Sequence, residues 1–128
     1  MADRKQAYQL GLEAEDTAAR FLRSLGLEEV DRRARMPGGE IDLVVEDAET
    51  LVFVEVKART NLTDGVEAVS ARQQSRIRSG LRAWLSTHDS EGVRLATKSV
   101  RCDVIVVAPD QDPLHIPNAF PAAEDGGF

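Results

Sequence analysis

EIDLVVEDAETLVFVEVKAR, residues 40–59, decides how this chain folds. Its two ends, residues 40–47 and 51–59, are rich in Val, Ile, Leu and Phe, with a few polar residues between them. Such a pair reads as an antiparallel hairpin. With Ala48 and Glu49 at the tip, Asp47 faces Thr50 and paired residue numbers sum to 97. Asp42 then lies opposite Glu55, and Glu40 opposite Lys57. Period-two alternation puts these four on one face, with directly opposed Cβ atoms about 4.5–5.5 Å apart. Val44 and Phe53 continue that face as apolar neighbours. Ile41, Leu43, Val45, Val52, Val54 and Val56 form the other, against a helix layer.

Two carboxylates facing each other across a strand pair repel unless something positive lies between them. A divalent cation that prefers oxygen, Mg²⁺ or Mn²⁺, meets that need with one or two carboxylates, several waters and substrate phosphates. A lysine beside it stabilises developing negative charge or positions an attacking water. Asp42, Glu55 and Lys57 are therefore a minimal set for hydrolysing a phosphodiester. The plainer reading is a cross-strand Glu40–Lys57 ion pair with Asp42 and Glu55 solvated, and bare D…ExK spacing does not exclude it. The setting of Glu55 between Val54 and Val56 favours the metal, because charges buried there are costly unless paired or ligated.

Outward from the hairpin, residues 10–25 carry apolar or small residues at 14, 18, 21, 22 and 25, a helical spacing stopped at Gly26. Residues 28–34 suit a short polar edge strand, and MPGG at 36–39 is turn chemistry. Residues 67–86 predict a second helix with Ala68, Val69, Ala71, Ile77, Leu81, Trp84 and Leu85 as its apolar stripe. Asp64 and Ser70 are both candidate caps for its start. Residues 87–92 read as a loop and residues 102–108 as a buried strand. The expected fold class is α/β, a mixed central sheet with helices on its faces, over residues 1–108. Residues 109–128 read as an acidic, mobile tail containing Pro and Gly, with IPNAF (116–120) docked on the body.

The chain has 128 residues, 30% of them charged, which suits one soluble domain. No apolar run approaches the roughly 20 residues that cross a bilayer. The N-terminal stretch lacks the apolar segment of a signal peptide. A single cysteine, Cys102, and only His88 and His115 rule out a cysteine/histidine zinc site. The expected location is cytoplasmic. The net charge of −6 argues against a nucleic-acid partner, but Asp110, Asp112, Glu124 and Asp125 supply four of those charges. Residues 57–82 hold Lys57, Arg59, Arg72, Arg76, Arg78 and Arg82 against Asp64 and Glu67, and residues 20–35 hold five arginines. These clusters suit phosphates, though a row of arginines on a helix is also an ordinary solvated face.

GLEAEDTAARFL, GGEIDLVV, VFVEVKAR, AVSARQQSRI and RCDVIVV, in that order over about residues 11–108, resemble the YraN-like family of small bacterial proteins. The family is regarded as predicted nucleases with a restriction-endonuclease-like core, similar to archaeal Holliday-junction resolvases. The resemblance implies that Asp42 and Glu55 bind metal and that Lys57 is the catalytic lysine of a PD-(D/E)xK-type site. It adds Glu15, on the first helix, as a further metal acid. Glu40 belongs to the family's GEID, with no role attached. Gln73 stands where family members often have Lys, and Cys102 where they often have an aromatic residue. Gln73 still offers hydrogen bonds to a phosphate. Cys102 reads as a smaller core residue, and Asp103 as a partner of Arg101.

The expected activity is metal-dependent DNA cleavage, at branched or junction DNA by resemblance, with Arg59, Arg72, Gln73 and Arg76 contacting the nucleic acid. A homodimer fits the two-fold symmetry of a junction, although no exposed apolar strip marks its interface. The alternative is a catalytically weak or inactive nuclease-fold module that binds nucleic acid or a protein. An interaction protein using the acidic tail ranks last.

Overall fold

Residues 4–65, 69–88 and 98–123 are described by a computed structural model. In chain order they form α1 (Arg4–Ser24), β1 (Glu28–Met36), β2 (Gly39–Glu46), β3 (Thr50–Ala58), a single turn α2 (Leu62–Gly65), α3 (Ala71–Thr87), β4 (Ser99–Val107) and β5 (Leu114–Phe120). The strands make one mixed sheet in the order β1-β2-β3-β4-β5. Only β3 and β4 run parallel. This α/β arrangement agrees with a restriction-endonuclease-like core.

Local chemistry sets the element ends. Gly26, at φ 90°, closes α1, with Leu27 N–H on the Leu22 carbonyl and Gly26 N–H on that of Arg23. This double bond pattern satisfies carbonyls the helix would otherwise leave open. Of the two candidate caps, Ser70 starts α3: its Oγ accepts from Gln73 N–H at 3.1 Å, while Gln73 Oε1 accepts from Ser70 N–H at 3.2 Å. The hairpin tip is held by Asp47, whose carboxylate accepts from the Glu49 and Thr50 N–H groups. The expected register is borne out from Leu43↔Val54 to Glu46↔Leu51.

The core lies on both faces of the sheet. On one, Leu43, Val45, Val52, Val54 and Ile105 pack under Ala18 and Leu22 of α1. On the other, Ile41, Val44, Leu51, Phe53 and Val106 pack under Ile77, Leu81 and Trp84 of α3. Phe53 meets Trp84 edge to face at 5.5 Å, and Trp84 Nε1–H donates to Asp31 at 2.8 Å. Ile41 corrects the expected alternation, because it joins the α3 side and not that of Leu43. Across from this break, between Leu43 and Ile41 on β2, Arg33 of β1 takes a left-handed backbone (φ 48°), while the pairing register on either side of it is unchanged. For a residue other than Gly this costs roughly 1 kcal/mol or more.

Two expectations change beyond the hairpin. The chain past Ala108 is not a bare tail: Leu114–Phe120 is a sheet strand, so the domain continues past residue 108 and the docking of IPNAF is borne out. The second helix begins at Ala71, with Val69 buried ahead of it. Residues 66–68, 89–97 and 124–128, which include Ala68, most of the expected 87–92 loop and the tail's last acids, lie outside the described residues.

Candidate active site

The site lies where β2 and β3 part. Pairing between them stops at Leu43↔Val54, while β3 stays paired with β4 as far as Ala58↔Val107. Beyond the last pair, the Asp42 side chain takes the place of a backbone acceptor. Its Oδ2 accepts from Val56 N–H at 2.8 Å. The Asp42 and Glu55 carboxyls share a hydrogen bond across the gap. Burial raises both, and Asp42 and, less, Glu40 raise Glu55 further, pushing it up to about 7. Burial and the neighbouring acid thus favour the protonated form of the pair, as two close carboxylates require.

Lys57 is buried at 9% exposure, and its charge draws both acids down. Among the described residues it makes no ion pair and no hydrogen bond. The expected Glu40–Lys57 pair is not formed. Glu40 is exposed and sits opposite Arg35 on β1. Glu15, on α1, is buried at 9% and close enough to Asp42 to be raised by it, after the larger effect of its own burial. Its Oε1 accepts from Arg33 Nη1 at 2.9 Å. Arg33 is thus a site residue that sequence reasoning missed. It counted only as one arginine among five, and neither Gly nor Asn announced the left-handed turn.

Asp42, Glu55, Lys57 and Glu15 are brought to one end of the sheet. Among the described residues no group of three His, Cys, Asp or Glu side chains is gathered closely enough to hold a metal ion alone. Two hard oxygen donors, desolvated and sharing a proton, fit a Mg²⁺ or Mn²⁺ whose other ligands are water and phosphate. Glu15 stays on Arg33.

The helix that follows β3 reaches the same end. Because α3 crosses between parallel strands, it runs against them and starts over their C-terminal edge. A Cβ on Gly39 would collide with the Arg76 carbonyl oxygen, so the first turns of α3 lie against the start of β2. Arg72 and Arg76 are exposed there. Gln73 has its carbonyl oxygen in the cap, leaving its NH₂ for other partners. Arg59 is exposed one step past β3, its guanidinium on the Ala58 carbonyl at 2.8 Å. It also borders a groove of about 1060 Å³ between α1 and residues 107–112. Glu13, Asp110 and Asp112 line that groove, giving it the wrong sign for a phosphate chain.

Asp103 and Cys102, set aside above, are structural. Asp103 is fully buried and accepts from Arg101, His115 and Asn118 N–H. Cys102 is buried, and desolvation pushes its thiol up to about 12.

Residues 14–107 match the uncharacterised protein family UPF0102. The UPF0102 protein of Rhodopseudomonas palustris (strain HaA2) is 42% identical, covering 94% of this chain and 91% of the relative. That of Methylorubrum extorquens (strain PA1) is 40% identical over 93% and 90%. That of Nitrobacter winogradskyi is 41% identical over 94% and 98%. These names state a family and no activity.

Proposed function

The chain belongs to the uncharacterised protein family UPF0102, the YraN-like family of the sequence resemblance, and from that premise we propose that it is a metal-dependent endonuclease acting on DNA. The observation that carries the reading is the Asp42–Glu55 pair, two half-buried carboxyls brought together where β2 and β3 part, with Asp42 on Val56 N–H at 2.8 Å and the buried Lys57 beside them. A bound Mg²⁺ or Mn²⁺ would polarise a phosphoryl oxygen and acidify a water. Asp42 and Glu55 would hold it, with Glu55 as the carboxylate. Lys57 faces the phosphate, where its charge matters most as the attacking water adds and the P–O bond breaks. Arg72 and Arg76 steer the backbone of the DNA from the start of α3. Branched or junction DNA is the substrate, and a homodimer would present two such sites to it.

A second reading has specific support. Among the described residues the acids do not form a three-ligand cage, and Gln73, where relatives often carry a lysine, brings no charge and has its carbonyl oxygen in the helix cap. A nuclease-fold binding module would look the same. One experiment separates the two. Labelled duplex, single-stranded, flap and four-way-junction DNA are incubated with wild type, Asp42→Asn and Lys57→Ala in Mg²⁺, Mn²⁺ or EDTA. Cleavage by wild type alone, stopped by EDTA, is the expected result, with each variant reduced at least about 100-fold. Binding without cleavage by all three assigns the module.

A further inference from the structure

Arg33 occupies a position that a regular strand would not give it. Arg32 pairs with Leu43 and Ala34 with Ile41, so Arg33 stands opposite Asp42. In an unbroken pleat, Arg32 and Arg33 would point to opposite faces. Instead both reach α1: Arg32 to Asp16, and Arg33 to Glu15 at 2.9 Å. Arg33 does so from a left-handed backbone (φ 48°), and Asp42, across from it on β2, lies close enough to Glu15 to raise its carboxyl. An outlier of this kind persists only where its surroundings hold it, and such residues concentrate at functional sites.

The pair itself is lopsided. The Glu15 side chain is 11% exposed and that of Arg33 40%. Among the described residues Glu15 is the only hydrogen-bond partner of the Arg33 guanidinium, which has five N–H donors. One edge of the fork rests on a buried acid and the rest meets solvent. With Lys57 beyond Glu55, Arg33 completes a bracket of two cations around the acids. A polyanion approaching Asp42, Glu55 and Glu15 needs such cations, and a guanidinium suits a phosphate better than any other side chain.

We infer that Arg33 is a phosphate-binding residue of this site, gripping the DNA backbone next to the scissile bond, with Glu15 as its resting partner. The inference rests on the nuclease reading above. It makes metal and DNA respond in opposite directions. A cation beside the acids opposes a metal ion and favours a phosphate, so its removal helps the first and harms the second.

The test is Arg33→Gly, which keeps the left-handed backbone without the Cβ clash. Arg33→Asn is the second choice should the glycine variant fold poorly, and Arg33→Lys is the charge-keeping control. Mn²⁺ affinity is read from the free-ion paramagnetic resonance signal without DNA. DNA affinity is read by anisotropy of a labelled four-way junction in Ca²⁺ over a range of salt. Arg33→Gly should bind Mn²⁺ a few-fold more tightly and the junction roughly fivefold more weakly. The slope of log K against log salt should fall by about one, and Arg33→Lys should restore it. Wild-type DNA affinity and slope in Arg33→Gly would overturn the inference and leave the nuclease reading standing. So would a loss of Mn²⁺ affinity equal to that of Glu15→Gln, which would make Arg33 an orienter of Glu15. A wild-type protein that binds no DNA would remove both.

Discussion

Asp103 on β4 and the Asp42–Glu55 pair on β2 and β3 put carboxyl groups among the same kind of apolar neighbours and treat them in opposite ways. Asp103 receives both Arg101 donors at 2.8 and 2.9 Å, His115 at 2.7 Å and Asn118 N–H at 2.9 Å. Burial pushes its carboxyl up, but those bonds outweigh it and hold it below the usual range. Asp42 has one backbone donor, and it and Glu55 are left to share a proton. A carboxylate with every lone pair met is finished as chemistry; it holds β5 onto the sheet. One kept short of donors stays neutral or waits for a cation, which is how a site differs from a strut.

The comparison breaks most visibly by truncation. Asp103→Ala should cost about 3–5 kcal/mol in urea unfolding, because it strands Arg101, His115 and the Asn118 N–H together. Asp42→Asn, which keeps an acceptor for Val56 N–H, should leave the urea midpoint nearly unchanged. An equal loss in both would erase the distinction.

Changing pH should sharpen it, since the two acids have opposite linkage signs. Glu55 is raised from 4.5 to about 7, so the folded state holds the extra proton and stability falls as pH rises through that window. Glu55→Gln should therefore be more stable than wild type at pH 8 by about 2–3 kcal/mol and equal to it near pH 4. Asp103 is lowered from 3.8, so its contribution is present above that value and lost as pH falls through the folded pKa. Thermal melts of wild type and both variants from pH 3 to 8 should show an alkaline limb that Glu55→Gln loses and an acid limb that Asp103→Ala loses.

The smallest effect concerns Gln73. As half of a capping box it should cost about 0.5–1 kcal/mol when changed to Ala, seen as a lower melting temperature. Junction affinity falling by more than the Arg72→Ala loss would instead put its NH₂ on the DNA.

The sequence made the hairpin readable through its polar tip and apolar flanks, and the register assumed from that tip holds from Glu46↔Leu51 to Leu43↔Val54; beyond it the strands part, and Asp42 reaches Val56 N–H and Glu55 through its side chain. It also carried Ser70-x-x-Gln73, a capping box that would have given Gln73 its structural role. Other features had no local signal. Arg33 is a poor candidate for a left-handed backbone, and tertiary contacts with Glu15 override that preference. The break in alternation moved Ile41 to the α3 side, so a face assigned by parity alone fails at the site end. Strand β5 was concealed by Pro117 and by a pattern in which only Phe120 is fully buried. Its hold on the sheet comes from the ladder with β4 and from Asp103, contacts that no local pattern announces.

The parallel pairing of β3 with β4 has a kinetic consequence. Thr50 meets Ser99 and Ala58 meets Val107, so this ladder closes only after the whole crossover has been made. The β1–β2–β3 meander is local and can form ahead of it, leaving the apolar edge of β3 open for a time to pairing with other chains. Glu55 and Lys57 interrupt that edge with two charges of opposite sign. Gatekeepers of this kind discourage aggregation, so the residues proposed for chemistry also guard the chain while it folds.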